Sequence, residues 1–131
     1  MTAKSSLAQR GEIVRREVMG DAHVDRTAAD PDPFMRMFHE ATEEICWGAV
    51  WARPGLDRKM RSILSLAMTA AQGQAPAVKA HAKTSLAAGW TKEEIGEVLI
   101  HAYCYAGVYK SLSSFQAAKE AFDELEREQA P

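Results

Sequence analysis

Gly73-Gln-Ala-Pro-Ala-Val-Lys-Ala-His81, followed by Gly89-Trp-Thr-Lys-Glu-Glu-Ile95 and by Tyr105-Ala-Gly107, is the stretch on which the reading of this chain turns. Gly73 ends one helix and Pro76, with its φ already set for a first turn, opens the next, which runs to Ala88 and stops at Gly89. His81 falls in the opening turns of that helix. It shares a face with Val78, Ala82 and Ser85, and with Ala77 one turn back. Thr91 and Glu94 form a capping box, hydroxyl and carboxylate each satisfying the other's backbone. Beyond it Ile95, Val98, Leu99, Ala102 and Ala106 share one face of a third long helix, which closes on the aromatic-glycine corner at Tyr105 to Gly107.

Outward from this centre the pattern stays helical. Residues 5–19 carry Leu7, Ile13, Val14 and Val18 at loosely helical spacing and stop at Gly20. Residues 21–31 hold Asp, Ala, Pro and Thr without a period and read as a linker. Asp32-Pro33 starts a helix with a capping carboxylate and a proline, and an apolar stripe of Phe34, Met37, Phe38, Ala41, Ile45 and Ala49 follows as far as Arg53-Pro54-Gly55. Asp57 caps a further helix with Met60, Ile63, Leu64, Ala67, Met68 and Ala71 on a broad apolar face. The last helix, about 109–128, is expected to bury Leu112, Phe115, Ala118 and Phe122. No segment alternates as a strand does. The expectation is an all-α bundle of about six helices, one domain over 1–131 with its core at about 34–125 and a leader helix and linker over 1–33.

Composition narrows the function classes. The chain has 131 residues, 47% hydrophobic and 26% charged, with a formal net charge of -2. That charge, with both signs interspersed, argues against nucleic acid, because a phosphate backbone needs clustered Lys and Arg. No apolar run approaches the roughly 20 residues that span a membrane. Charges stand in Met1 to Arg16 where a secretory signal would be apolar, so cytoplasm is the default compartment. Cys46 and Cys104 read as two reduced, partly buried thiols rather than a disulfide framework. The alanine-rich helices have few large core residues, while Trp47, Trp51, Trp90, Tyr103, Tyr105 and Tyr109 need cover. Burial of these rings between subunits predicts an obligate oligomer.

Among candidates for chemistry, His81 leads, because an imidazole titrates near neutral pH and moves a proton both ways. A core histidine bonded to a carbonyl is the structural alternative. Arg61, on the side of its helix that carries Arg58, can grip a substrate carboxylate through two parallel hydrogen bonds, or serve as a surface ion-pair partner. Glu43 and Glu44 precede Trp47; one of them can carry a proton beside that ring, or both can form a solvated pair. Glu97, His101 and Cys104 share one side of their helix, opposite the Val98–Ala102 stripe. Their spacing matches no established zinc pattern, and no metal is expected. There is no phosphate loop and no Ser/His/Asp motif.

These residues, in this order, resemble the carboxymuconolactone decarboxylase family, which is related to alkyl hydroperoxidase D. The resemblance runs through Trp47-Gly-Ala-Val-Trp51-Ala-Arg-Pro-Gly-Leu-Asp57-Arg-Lys-Met-Arg-Ser62, then Leu64 to Gly73, His81, Ala88-Gly89, Thr91 to Leu99 and Tyr105-Ala-Gly107. Arg10-Gly-Glu-Ile-Val-Arg-Arg-Glu-Val-Met-Gly20 is similar to the leader of the stand-alone decarboxylases, so about 9–123 are covered. The chain departs from the hydroperoxidase pattern, with Gln74 and Ala77 in place of the Cys-x-x-Cys thiols. It departs from the decarboxylases too, with Ala77 in place of a glutamate and Val108-Tyr109-Lys110 in place of the proline after the corner.

What the resemblance implies is an all-helical subunit assembling as a trimer or hexamer with sites near subunit contacts. It also implies decarboxylation of a small carboxylated lactone or cyclic acid in aromatic-compound breakdown, without metal or organic cofactor. On that basis His81 is the expected proton donor. Arg61 orients a carboxylate, Trp47 or Tyr105 walls out water, and Glu44 completes the substrate contacts. The alternatives are a repurposed, non-catalytic relative that binds a small acid and, ranked last, a thiol antioxidant using Cys46 and Cys104.

Overall fold

Helix starts in this protein follow the capping residues read above. Ser5 accepts from the Ala8 N–H, Asp32 from Phe34 and Asp57 from Met60, and Thr91 and Glu94 complete a reciprocal box. Each cap satisfies backbone N–H groups that a first helical turn leaves without a partner. A computed structural model describes residues 3–131. Among them are seven α-helices and one π-helix, with no strand: α1 (Ser6–Met19), α2 (Asp21–Ala28), α3 (Pro33–Thr42), the π-helix (Glu43–Trp51), α4 (Arg58–Ala71), α5 (Ala75–Ala87), α6 (Lys92–Ala106) and α7 (Val108–Gln129). The all-α expectation holds. The helices gather into two units, the first ending at Leu56 and the second spanning Asp57–Pro131.

In the first unit, α1 lies against the π-helix at unusually close range. A Cβ on Gly11 would stand 2.0 Å from the Glu43 carbonyl oxygen, and one on Gly48 would stand 2.1 Å from the Leu7 oxygen. Both positions therefore require glycine, because the obstacle is backbone and cannot swing away. The tight contact seats a small core of Val14, Trp47 and Trp51, ringed by Val18, Met19, Cys46 and Ala52. Trp47 and Trp51 lean on each other with ring centroids 4.6 Å apart. They are 6% and 7% exposed, so these two rings are covered within the unit itself. For Trp47 and Trp51 this corrects the expectation that the ring needs a subunit contact for cover.

Two further corrections fall in this unit. Residues 21–28 are helical where a linker was expected. Val24 is 2% exposed and anchors the segment, and Arg16 pairs with Asp21 at 3.1 Å and with Asp25 at 2.9 Å. Long-range anchoring of this kind leaves no periodic trace in eight residues. The stripe from Phe34 to Ala49 belongs to two elements, since i→i+5 bonding takes over at Glu43. None of α3 is buried: Phe34, Met37 and Phe38 are exposed.

The second unit is a four-helix packing of a different kind. Ile63, Leu66, Ala70, Val78, Ala82, Ile95, Leu99, Ala102, Ala117, Ala118 and Ala121 form its core, with Trp90, Phe115 and Phe122 against the edge. Small residues let α5 run close to both α4 and α7. Lys79 and Lys83 of α5 reach Glu124 on α7, Lys83 at 2.5 Å, and together hold that carboxyl down to about 2. Gly107, at φ 93, is the single residue between α6 and α7. On α7 the buried line is Ser111, Ser114, Ala117, Ala118 and Ala121, so Leu112, expected inside, is half exposed.

Candidate active site

His81 stands two turns into α5, where the helix presents Val78, Ala82 and Ser85 to the core, all three fully buried. Its own ring is partly exposed, but Nδ1 is sealed and has no hydrogen-bond partner among the described residues. The same is true of the Ser85 hydroxyl oxygen one turn later. Residues four apart lie one above the other on a helix, so two unpartnered polar atoms share one strip of α5. Buried polar groups are nearly always bonded, and leaving one unmade costs about 1–3 kcal/mol. A pair of them on one face marks a place where a water or a ligand group belongs.

Electrostatics support this reading of His81. Burial pushes its imidazole below the ordinary value of 6.5. Desolvation disfavours the charged ring, so near neutral pH the imidazole is uncharged, and its cationic form gives up a proton readily. Thr84 Oγ1 donates to the His81 carbonyl at 3.2 Å, a contact that braces the backbone of this turn.

The other expected site residues divide between the units. In the second unit, Arg61 lies in the first turns of α4, half-buried, with its carbonyl accepting from Ser65 Oγ at 2.9 Å. Tyr105 ends α6 with 81% of its surface exposed, its ring 5.5 Å from that of His101. In the first unit, the π-helix carries Glu44 and Trp47. Glu44 accepts from Ser5 Oγ at 3.1 Å, while neighbouring Glu43 takes Lys4 at 2.7 Å. Trp47 is packed on Trp51. Of the thiols, Cys46 is half-buried with its pKa raised by burial, and Cys104 is exposed. Glu97 and His101 lie on the exposed side of α6 with Cys104.

Ser85 is the residue that the sequence reading named as a neighbour and gave no role. Its signal was available, since a serine one turn beyond a histidine on an otherwise apolar face is a polar atom needing a partner. Arg15, which in sequence is one charge of the 10–20 leader, is buried.

Comparison with known proteins places the chain in a family. The model of the carboxymuconolactone decarboxylase family matches residues 37–120. A 4-carboxymuconolactone decarboxylase of Acinetobacter baylyi is 34% identical over 117 residues, 89% of this chain and 87% of the relative. A nitrosuccinic acid decarboxylase of Metarhizium robertsii is 32% identical over 119 residues, 91% of this chain and 83% of the relative. Both alignments run through most of the two units.

Proposed function

Because this chain belongs to the carboxymuconolactone decarboxylase family and is a decarboxylase-type enzyme, we propose that it removes carbon dioxide from a small carboxylated lactone or a comparable small acid, with His81 carrying the proton. The observation that carries this reading is the unpartnered pair on α5, His81 Nδ1 and Ser85 Oγ. In the step itself the bond from carbon to carboxylate breaks and its electron pair stays on carbon, spread into the adjoining carbonyl. The imidazolium form of His81, made by taking up a proton from solvent, then protonates that carbon and is left as neutral imidazole, which solvent protonates again for the next turnover. A positioned acid of this kind contributes about 10²–10⁴-fold. Burial helps, because it makes the imidazolium a stronger acid than an exposed one.

Arg61 is assigned to holding the substrate carboxylate, since a guanidinium matches its two oxygens. Tyr105, in the same unit as His81 and Arg61, completes the proposed substrate contacts. The two named relatives act on different acids, and both compounds belong in the assay. Self-association is part of the same proposal. Phe34, Met37, Phe38 and Ile45, together with Tyr103, Tyr105 and Tyr109, expose apolar or aromatic surface that a further subunit would cover. The family match across 37–120 supports treating both units as one functional domain.

The test is loss of γ-carboxymuconolactone or nitrosuccinate, followed by ultraviolet absorbance and carbon dioxide release. His81→Ala is expected to lower kcat by about 10²-fold or more, and Ser85→Ala by about tenfold with binding kept. Equal rates in the parent and His81→Ala would remove His81 from the chemistry. Thermal stabilisation by either acid without turnover would favour the binding-protein reading, which the alanine at position 77 supports.

A further inference from the structure

The first unit holds a charged hollow that the reaction above does not use. Arg15 is 7% exposed and is the one charged residue among the buried described residues. Its Nη2 donates to Thr27 Oγ1 at 2.9 Å, and that hydroxyl donates onward to the Val24 carbonyl at 2.9 Å. Thr27 is thereby fixed as an acceptor and holds the guanidinium in one orientation. The opposite nitrogen, Nη1, is 3.8 Å from Glu43, close enough for attraction but too long for a hydrogen bond. A guanidinium has five N–H donors in a rigid fork, and one of them is engaged here among the described residues. The rest of the fork is open to an acceptor that enters from the hollow beside it.

A hollow of about 170 Å³ opens beside it, lined by Lys4, Arg15, Arg36, His39, Glu40 and Glu43. Three formal cations face two carboxylates. One of those carboxylates, Glu43, is already taken by Lys4 at 2.7 Å. His39 faces Asp30 at 3.4 Å. Arg36 stands exposed at the rim, and its charge adds a small part to the lowering of the Asp30 carboxyl, which comes first from the Asp32 backbone N–H and then from His39. Within this lining Glu40 is the carboxylate left to face the guanidinium groups of Arg15 and Arg36, next to space of the size of a small organic anion.

We propose that this hollow binds a small organic carboxylate, forked onto Arg15 and closed over by Arg36. The site lies wholly within the first unit and does not depend on the role given to His81. Succinate is the probe, added to the full-length chain while the arginine Nε–Hε resonances are followed by NMR at constant ionic strength. Saturable movement of the Arg15 resonance is expected, with the same midpoint in His81→Ala and a midpoint weakened about tenfold in Arg36→Gln. Arg36 is exposed, so that variant folds as the parent does. An Arg15 resonance that stays still, or that moves equally with added chloride, overturns the proposal. So does an unchanged midpoint in Arg36→Gln. Binding lost in His81→Ala would move the succinate to the α5 site and overturn it as well, whereas a silent decarboxylation assay with succinate binding intact would fault only the proposed reaction.

Discussion

The two units of this chain solve the same problem, holding helices together, by opposite means. The second unit relies on aliphatic burial, with Leu66, Val78, Ile95 and Leu99 all at 0–1% exposure and alanines filling the gaps. The first has Val14, Trp47 and Trp51 as its apolar centre, with Val24 buried under α2, and brings α1 and the π-helix together backbone to backbone across Gly11 and Gly48. What the first lacks in apolar mass it replaces with close approach and with charge: a buried Arg15, a Lys4–Glu43 bond at 2.7 Å and the Arg16 pairs. A core built from side chains tolerates repacking. A contact built from backbone does not.

That difference is most sharply tested at Gly48. Gly48→Ala puts a methyl 2.1 Å from the Leu7 carbonyl oxygen, and no rotamer relieves it. We expect a loss of more than about 3 kcal/mol, at the severe end of overpacking, with amide exchange accelerating in α1 and the π-helix first. An unchanged denaturation midpoint would show that the two helices can part at small cost, and would dissolve the contrast. In the second unit, Leu99→Ala leaves a cavity in a core that can partly collapse, and about 2–5 kcal/mol is expected by urea unfolding. The spread is itself informative: a value near the lower end means the alanine-rich surroundings close in. Smaller still, Thr91→Ala removes one half of the α6 capping box and should cost about 1 kcal/mol, since the helix keeps its buried face.

Legibility in the sequence divided along the same line. Caps and stops were readable because they are local chemistry: Asp32, Asp57 and Thr91 start helices where their side chains allow it, and Gly20 and Gly107 end them. The buried face of α6 followed from period, whereas that of α4 did not: Ser62, Leu66 and Ala70 are buried there beside Ile63, while Met60 and Met68, expected on the apolar face, are exposed. The π-helix did not, because an extra residue per turn changes which side chains share a face, and nothing in Glu43–Trp51 announces it. Nor did α2, which is short and stabilised by a single buried valine and by partners five and nine residues away. On the chemical side, the position of His81 in the opening turns of α5 was readable from the Gly-containing turn before it. Arg15 was not, because the burial of one arginine in a run of charges is decided by Thr27, twelve residues on.

The smallest expected effects separate the units through two histidines. Burial lowers both His81 and His23, but for His81 it is the one cause, whereas at His23 the positive charges of Arg15 and Arg26 add to it. Each folded pKa lies below the unfolded one, so the unfolded chain binds more protons between the two values. Stability is therefore full above about pH 6.5 and falls as pH drops through the folded values. His81→Gln and His23→Gln should each remove part of that acid-side loss. Salt then tells the two causes apart. Raising ionic strength from 0.1 M to 1 M shortens the screening length from about 10 Å to about 3 Å, which weakens the arginine contribution and leaves desolvation untouched. Ring-proton NMR titrations should show the His23 midpoint rising with salt while that of His81 stays in place. Equal movement of the two would mean that His81 feels a charge the second unit does not supply, and that its neutrality rests on more than being buried.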